Sequence, residues 1–333
     1  MIRAVLPPIL GALVLSGCGK YADFRLPGAS SENGSVGGTW QWSARPAPVM
    51  ARGASGQWDS VDTLNPSVVA GPQGKLFNFY SGYDGRVWHT GVATSPDGLV
   101  WSREARVLSP DATTWEGAYI AANGAALYWK GDWWYWYQAG SPPRIGLARS
   151  SDGRAFRKHP VPVVPLGPRG SWDERAAADP YVIEFQGKLY LYYLGEDRAR
   201  RQRLGVAVSD DGINWTKHKK NPILELGGYG DFDENGLGEP AVWRSHGRWW
   251  MLYTGRAHDE VRRMGFAVST DGVGWKRYPL IIEGDQGWNK KVVCDATVIV
   301  AGGKVRVWFG GGDVAHPAEN VNGQIGYGEL EYR

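Results

Sequence analysis

The sequence predicts an all-β protein: a five-bladed β-propeller of four-stranded antiparallel blades, its ring closed by an N-terminal strand that completes the last blade. Three observations carry this. Tryptophan (18) and glycine (47) are abundant among the 333 residues while helical periodicity is scarce, a composition of short aromatic strands joined by glycine turns. One block of residues recurs five times along the chain. The last copy lacks a strand that the N-terminus is able to supply.

Each copy opens on an aromatic residue, and seven or eight residues later a polar residue starts an apolar strand. The five openings are "WDSVDTLNPSVV", "WEGAYIAANGAAL", "WDERAAADPYVI", "FDENGLGEPAVW" and "WNKKVVCDATVI". A glycine-centred turn then leads to an aromatic strand, as in "KLYLYYLG", and a third strand follows, as in "RLGVAVS". In four copies the third strand runs into an Asp-Gly hairpin: "SPDGLVW", "SSDGRAF", "SDDGINW" and "STDGVGW". Asp-Gly between strands signals a type I′ turn, with positive φ at both central positions. The fifth copy stops after its third strand at Arg333, and "GTWQWSARPAPVM" (Gly38–Met50) repeats the pattern of "LVWSREARVL" (Leu99–Leu108). The N-terminal segment is therefore expected to complete the last blade and remove a free sheet edge. The propeller domain is placed at residues 39–333.

Ahead of it, Met1-Ile2-Arg3 and the apolar run "AVLPPILGALVLSG" form a charged start and a core too short to span a bilayer. The ending "LSGC" resembles the lipobox of bacterial lipoproteins. Residues 1–17 then read as a lipoprotein signal peptide, Cys18 as the lipidated N-terminus, and residues 18–38 as a flexible tether. Gly19 rather than Asp follows the cysteine, which in a Gram-negative host implies the outer membrane, and otherwise a lipid-anchored place in the cell envelope. Cys294 is left without a disulfide partner. A net charge of +3 is too small to argue for nucleic acid, and "RARRQR" (Arg198–Arg203) reads as a solvated loop. The six histidines and two cysteines show no metal-ligand spacing. A monomer with no metal and no cofactor is expected.

In a propeller the innermost strands line a central channel. Aligning the copies on their turn glycines puts Asn65, Asn123, Asp179, Glu239 and Asp295 at one structural position around that channel. Asn and Asp suit a strand-opening turn, but that explains Glu239 badly. Carboxylates around one narrow axis repel unless they bind something or hold protons. Trp58, Trp115, Trp172 and Trp288 recur just before this position, suited either to stacking on a sugar or to packing between blades. Asp59, Glu116, Asp173 and Asp233 follow the opening aromatic, a recurrence that points to a shared structural hydrogen bond. Arg175 and His258 are placed near the mouth. The Asp-Gly hairpins carry no catalysis.

Five copies, "ADP" opening the third, "GEP" opening the fourth and S-x-D-G-x-x-W hairpins resemble the five-bladed glycoside hydrolase superfamily. That group includes families 43 and 32, the levansucrases and the mannoside phosphorylases of family 130, and the resemblance covers residues 39–333. It implies Glu239 as general acid and Asp179 as the carboxylate that tunes it. Asn65 stands where such enzymes carry the base or nucleophile Asp, which leaves Asp62 or Asp295 for that role. Substrate contacts fall to Asn65, Asn123, Trp115, Trp172, Arg175 and Glu116. Some members hold a channel Ca²⁺, which this sequence does not require. The function expected is a surface-anchored glycoside hydrolase-like protein acting on a poly- or oligosaccharide. The alternatives are a non-catalytic carbohydrate-binding or export-associated propeller, and a phosphorylase with a basic phosphate pocket.

Overall fold

Each copy folds as a four-stranded antiparallel meander whose strands pair in chain order, the fifth copy borrowing its outer strand from the N-terminus. The computed structural model describes residues 20–26 and 38–333. The third repeat is representative, with strands Ala176–Phe185, Lys188–Glu196, Gln202–Ser209 and Thr216–His218. The fifth has Val292–Ala301, Lys304–Gly312 and Gln324–Tyr332, and Trp40–Ala44 pairs antiparallel with the last of these. First strands of successive repeats touch in chain order and the fifth touches the first, so all five surround one axis.

The recurring residues hold each meander together. The opening aromatic lies across glycines of its own repeat: a Cβ on Gly205 would come 2.4 Å from the Trp172 ring, and one on Gly265 2.6 Å from Phe232. The third-strand glycine is the seat of that ring. The acid after the aromatic is buried. Asp59, Glu116, Asp173 and Asp233 accept a hydrogen bond from Tyr80, Tyr137, Tyr193 and Tyr253 respectively. Each also pairs with a fourth-strand cation: Arg103, Lys158, Lys217 or Arg277. In the fifth repeat all three positions change together, to Asn289, Phe309 and Ala44. The shared hydrogen bond expected of these acids is present, with a cation added.

The Asp-Gly hairpins differ from the type I′ expectation. Gly98, Gly153, Gly212 and Gly272 have φ of +70° to +78°, but the aspartates before them do not have positive φ. Ser95 Oγ donates to Asp97 Oδ1 and accepts from Gly98 N, while Asp97 Oδ1 accepts from Leu99 and Val100 N, and the pattern recurs in the other three. Side-chain caps therefore replace the second left-handed residue. The turn glycines also join neighbours: Trp136 Nε1 donates to Gly212 O at 2.8 Å, and Trp308 Nε1 to Gly98 O at 2.6 Å.

The tether expectation fails for Lys20–Leu26. Lys20–Ala22 pairs parallel with Thr216–His218 along the outer edge of the third repeat, and Leu26 is buried. The apolar side chains of Phe24 and Leu26 gain more by packing into the seam of repeats three and four than by staying in water. The signal peptide, Cys18 and residues 27–37 lie outside the described residues.

Candidate functional site

A one-residue bulge interrupts the first strand of every repeat, between Leu64 and Ser67, Ala122 and Ala125, Ala178 and Tyr181, Gly238 and Ala241, and Cys294 and Thr297. The residue at each bulge has a left-handed backbone: Asn65 (φ 48°), Asn123 (46°), Asp179 (47°), Glu239 (49°) and Asp295 (56°). Bulges of this kind re-aim a side chain off the sheet face. Here they turn all five toward the axis. Left-handed φ is tolerated by Asn and Asp, so the backbone itself accounts for four of the five residue types. Glu239 has no such excuse, and its strain points to function.

The five residues form the floor of a cavity of about 260 Å³, and together they also line a space of about 30 Å³ on the far side of the ring. Asn123 Nδ2 donates to Asp179 Oδ1 at 2.6 Å, and Asn65 N to Asp295 Oδ2 at 3.3 Å. Burial, reinforced by the Glu239 charge, pushes the Asp179 carboxyl up to about 7. The same two causes hold Asp295 well above the carboxylate range, and its side chain hydrogen-bonds to that of Glu239. Glu239 Oε2 and Asp295 Oδ1 are buried without a hydrogen-bond donor among the described residues. Two buried carboxyls this close oppose each other's ionisation, in keeping with the raised Asp295. Glu239 is partly open, while Asp179 and Asp295 are 8% and 5% exposed.

Beneath this pair, Cys294 Sγ donates to Asp295 Oδ2 at 3.0 Å. Glu239, Cys294 and Asp295 offer ligand atoms within 4.8 Å of one another. Arg262 is buried against all three, and the Glu239 and Asp295 carboxyls favour its charged form against the burial that opposes it. A thiol and a guanidinium at the same spot do not fit Ca²⁺, which takes oxygen ligands.

Several residues expected at the site serve elsewhere. Asp62 is fully buried but does not line the cavity; it accepts Asn320 N at 2.6 Å and Gly323 N at 2.7 Å. Trp115 and Trp172 pack on glycines inside their own repeats, and Glu116 is spent on Lys158 and Tyr137. Arg175 pairs with Glu196, and it is Glu196 that reaches the cavity.

Sequence reasoning missed the wall contributed by residues 317–319. Arg262 Nη2 donates to His316 O at 2.9 Å and Ala318 O at 3.3 Å, and Tyr119 Oη donates to Glu319 Oε2 at 2.6 Å. Arg256, from the end of the fourth repeat's second strand, completes the cationic side of the cavity with Arg262. Arg256 and Glu196 hold the same place after the "YTG" and "YLG" strand ends, a repeat signal that went unread.

Comparison with known proteins follows the architecture. An uncharacterized protein of Mycobacterium tuberculosis is 25% identical over 232 residues, 63% of this chain and 75% of that protein. A 1,2-beta-oligomannan phosphorylase of Thermoanaerobacter is 27% identical over 132 residues, 37% of this chain and 43% of its own. Among solved structures, a glycoside hydrolase superposes with a TM-score of 0.70 at 18% identity, covering 86% of this chain and 92% of that one. A family-32 beta-fructofuranosidase of Bombyx mori gives 0.62 at 19% identity, covering 86% and 63%. Residues 76–293 match the model of the glycosyl hydrolases family 32 N-terminal domain, and the chain belongs to that family.

Proposed function

We propose that this protein is a glycan-cleaving enzyme held at the cell envelope by lipid on Cys18, and that its meanders form a five-bladed propeller closed by Trp40–Ala44. One observation carries the activity: Asp179, Glu239 and Asp295 meet at the floor of a cavity where Asp179 keeps its proton up to about pH 7. Breaking a glycosidic bond requires a proton on the leaving oxygen. Glu239, the most open of the three, delivers it, and the buried partners hold protons beside it. Binding sugar hydroxyls calls for ionised carboxylates as acceptors, whereas here burial and mutual charge raise Asp179 and Asp295 toward the protonated form. Asn65 orients rather than deprotonates, because an amide accepts no proton at neutral pH. Asp295 lies within 4.8 Å of Glu239, closer than the roughly 6.5–9.5 Å separation by which an inverting enzyme leaves room for water. Its part is to share the proton.

A second reading is favoured by Arg256 and Arg262. A phosphate anion held by these arginines attacks without a protein base, which removes the need for the missing first-repeat acid. The Thermoanaerobacter relative, named as a phosphorylase, supports it. The test is a screen of aryl glycosides and oligosaccharides, β-1,2-mannosides included, with and without phosphate. Glu239→Gln is expected to lose roughly 10²–10⁴-fold in turnover. Sugar 1-phosphate as product selects phosphorolysis; free sugar selects hydrolysis. Equal turnover by wild type and variant, or none on any substrate, removes the enzyme claim.

A further inference from the structure

The point where the chain enters the fold bears on how the protein sits on its membrane, and rests on lipidation of Cys18, not on the chemistry of the pocket. We propose that the outer edge of the third repeat is a membrane-facing surface that lies against anionic phospholipid headgroups beside the acylated cysteine.

Two independent observations carry this. The first is the docking of Lys20–Leu26. Lys20 pairs with Thr216 and Ala22 with His218. The Phe24 ring meets His218 edge-on at 4.8 Å, and Leu26 N donates to Asp271 O at 2.9 Å. One residue, Gly19, separates Cys18 from this strand. A link this short gives a lipid on Cys18 little reach, at ~3.5 Å of chain per residue. Lipidation at Cys18 would therefore tie the bilayer to the rim of the third repeat, where a long leash was expected.

The second observation is charge. Lys20 and Arg25 from the entering segment and Lys219 and Lys220 from the end of the edge strand are all exposed around that point. Asp23 answers Lys219 at 3.3 Å and Asp271 answers Arg25 at 3.7 Å, so four cations face two acids. Basic residues at a bilayer surface attract anionic headgroups. Chain attachment and cationic surface thus coincide. The strand carrying Asp179 is four ladder steps inward from the Lys20–Ala22 edge, about 19 Å at the usual strand spacing. The cavity floor clears the headgroups, and a polysaccharide reaches it from the aqueous side.

The full-length chain, processed in a bacterial host and purified from its envelope, is reconstituted into vesicles containing phosphatidylglycerol. Mass spectrometry is expected to find an acylated glyceryl group on Cys18; an unmodified cysteine overturns the proposal. A fluorophore on Lys220→Cys is expected to be quenched by headgroup spin-labelled lipid several-fold more than one on Val100→Cys, a 71% exposed site on the first repeat. Equal quenching, the behaviour of a molecule swinging on a leash, overturns it. Twenty Gly/Ser residues inserted between Gly19 and Lys20 are expected to erase most of the contrast, and an unchanged contrast overturns the role of the short link. None of these readouts depends on catalysis, so failure here and failure of the enzyme reading are distinguishable.

Discussion

Lys217 is the sharpest place to test how the repeats are held. Its Nζ lies 2.5 Å from Asp173 Oδ2, and both side chains are fully buried. Lys217→Met keeps the apolar stem and removes the charge. Asp173 is left with the Tyr193 hydroxyl at 2.9 Å and Ser171 Oγ at 3.2 Å, and with no cation. Removing one partner of a buried pair costs about 3–5 kcal/mol, because the other charge stays in low dielectric or must take up a proton. The fifth repeat supplies a control, since Asn289, Phe309 and Ala44 fill the same three positions without ions. The triple change Asp173→Asn, Tyr193→Phe and Lys217→Met copies that apolar solution and is expected to recover most of the loss, to within about 2 kcal/mol of wild type. Urea unfolding reads both values, with an unchanged m-value showing that the same surface is exposed. Thermal melting should fall by at least ~6 °C for the single change, at roughly 2 °C per kcal/mol in a domain of this size. A loss below about 1 kcal/mol for Lys217→Met, or a triple variant less stable than the single one, would refute the reasoning.

Three further outcomes follow from the site. Asp179 is ordinarily ionised in the unfolded chain above about pH 4 but stays protonated in the fold up to about 7, so stability should decline as pH rises through that window. Urea midpoints taken across it should flatten in Asp179→Asn, and an equal slope in the variant would assign the decline elsewhere. Arg262→Gln withdraws a cation that holds the Asp295 carboxyl down, so the alkaline limb of the activity profile should move to higher pH; a limb that stays or moves down contradicts the proton-holding role. Asp62→Ala leaves the Asn320 and Gly323 amides without their acceptor, at about 1–3 kcal/mol each. It should raise KM more than it lowers kcat and expose residues 316–319 to proteolysis, whereas a pure loss of kcat would return Asp62 to the chemistry.

Much of this was legible in the residues. The spacing of aromatic, acid, glycine and Asp-Gly specified the meanders, because each of those residues has its partner inside one repeat or the next. The register that aligned Asn65, Asn123, Asp179, Glu239 and Asp295 was legible for the same reason: a repeated backbone bulge keeps its place in a repeated strand. The acid pattern had a second cause that the sequence concealed. A left-handed φ selects Asn and Asp whatever the chemistry, and only Glu239 stands outside that preference.

What tertiary structure alone decided lies between repeats. Asp62 and Asp295 were equal candidates for one role until folding sent Asp62 to two amides near the chain's end and set Asp295 against Glu239. Arg262 joined the carboxyls, residues 317–319 became a wall, and Lys20–Ala22 became an edge strand instead of a tether. Periodicity reports what each repeat does within itself, and contacts made once, across hundreds of residues, leave no period in the sequence to read.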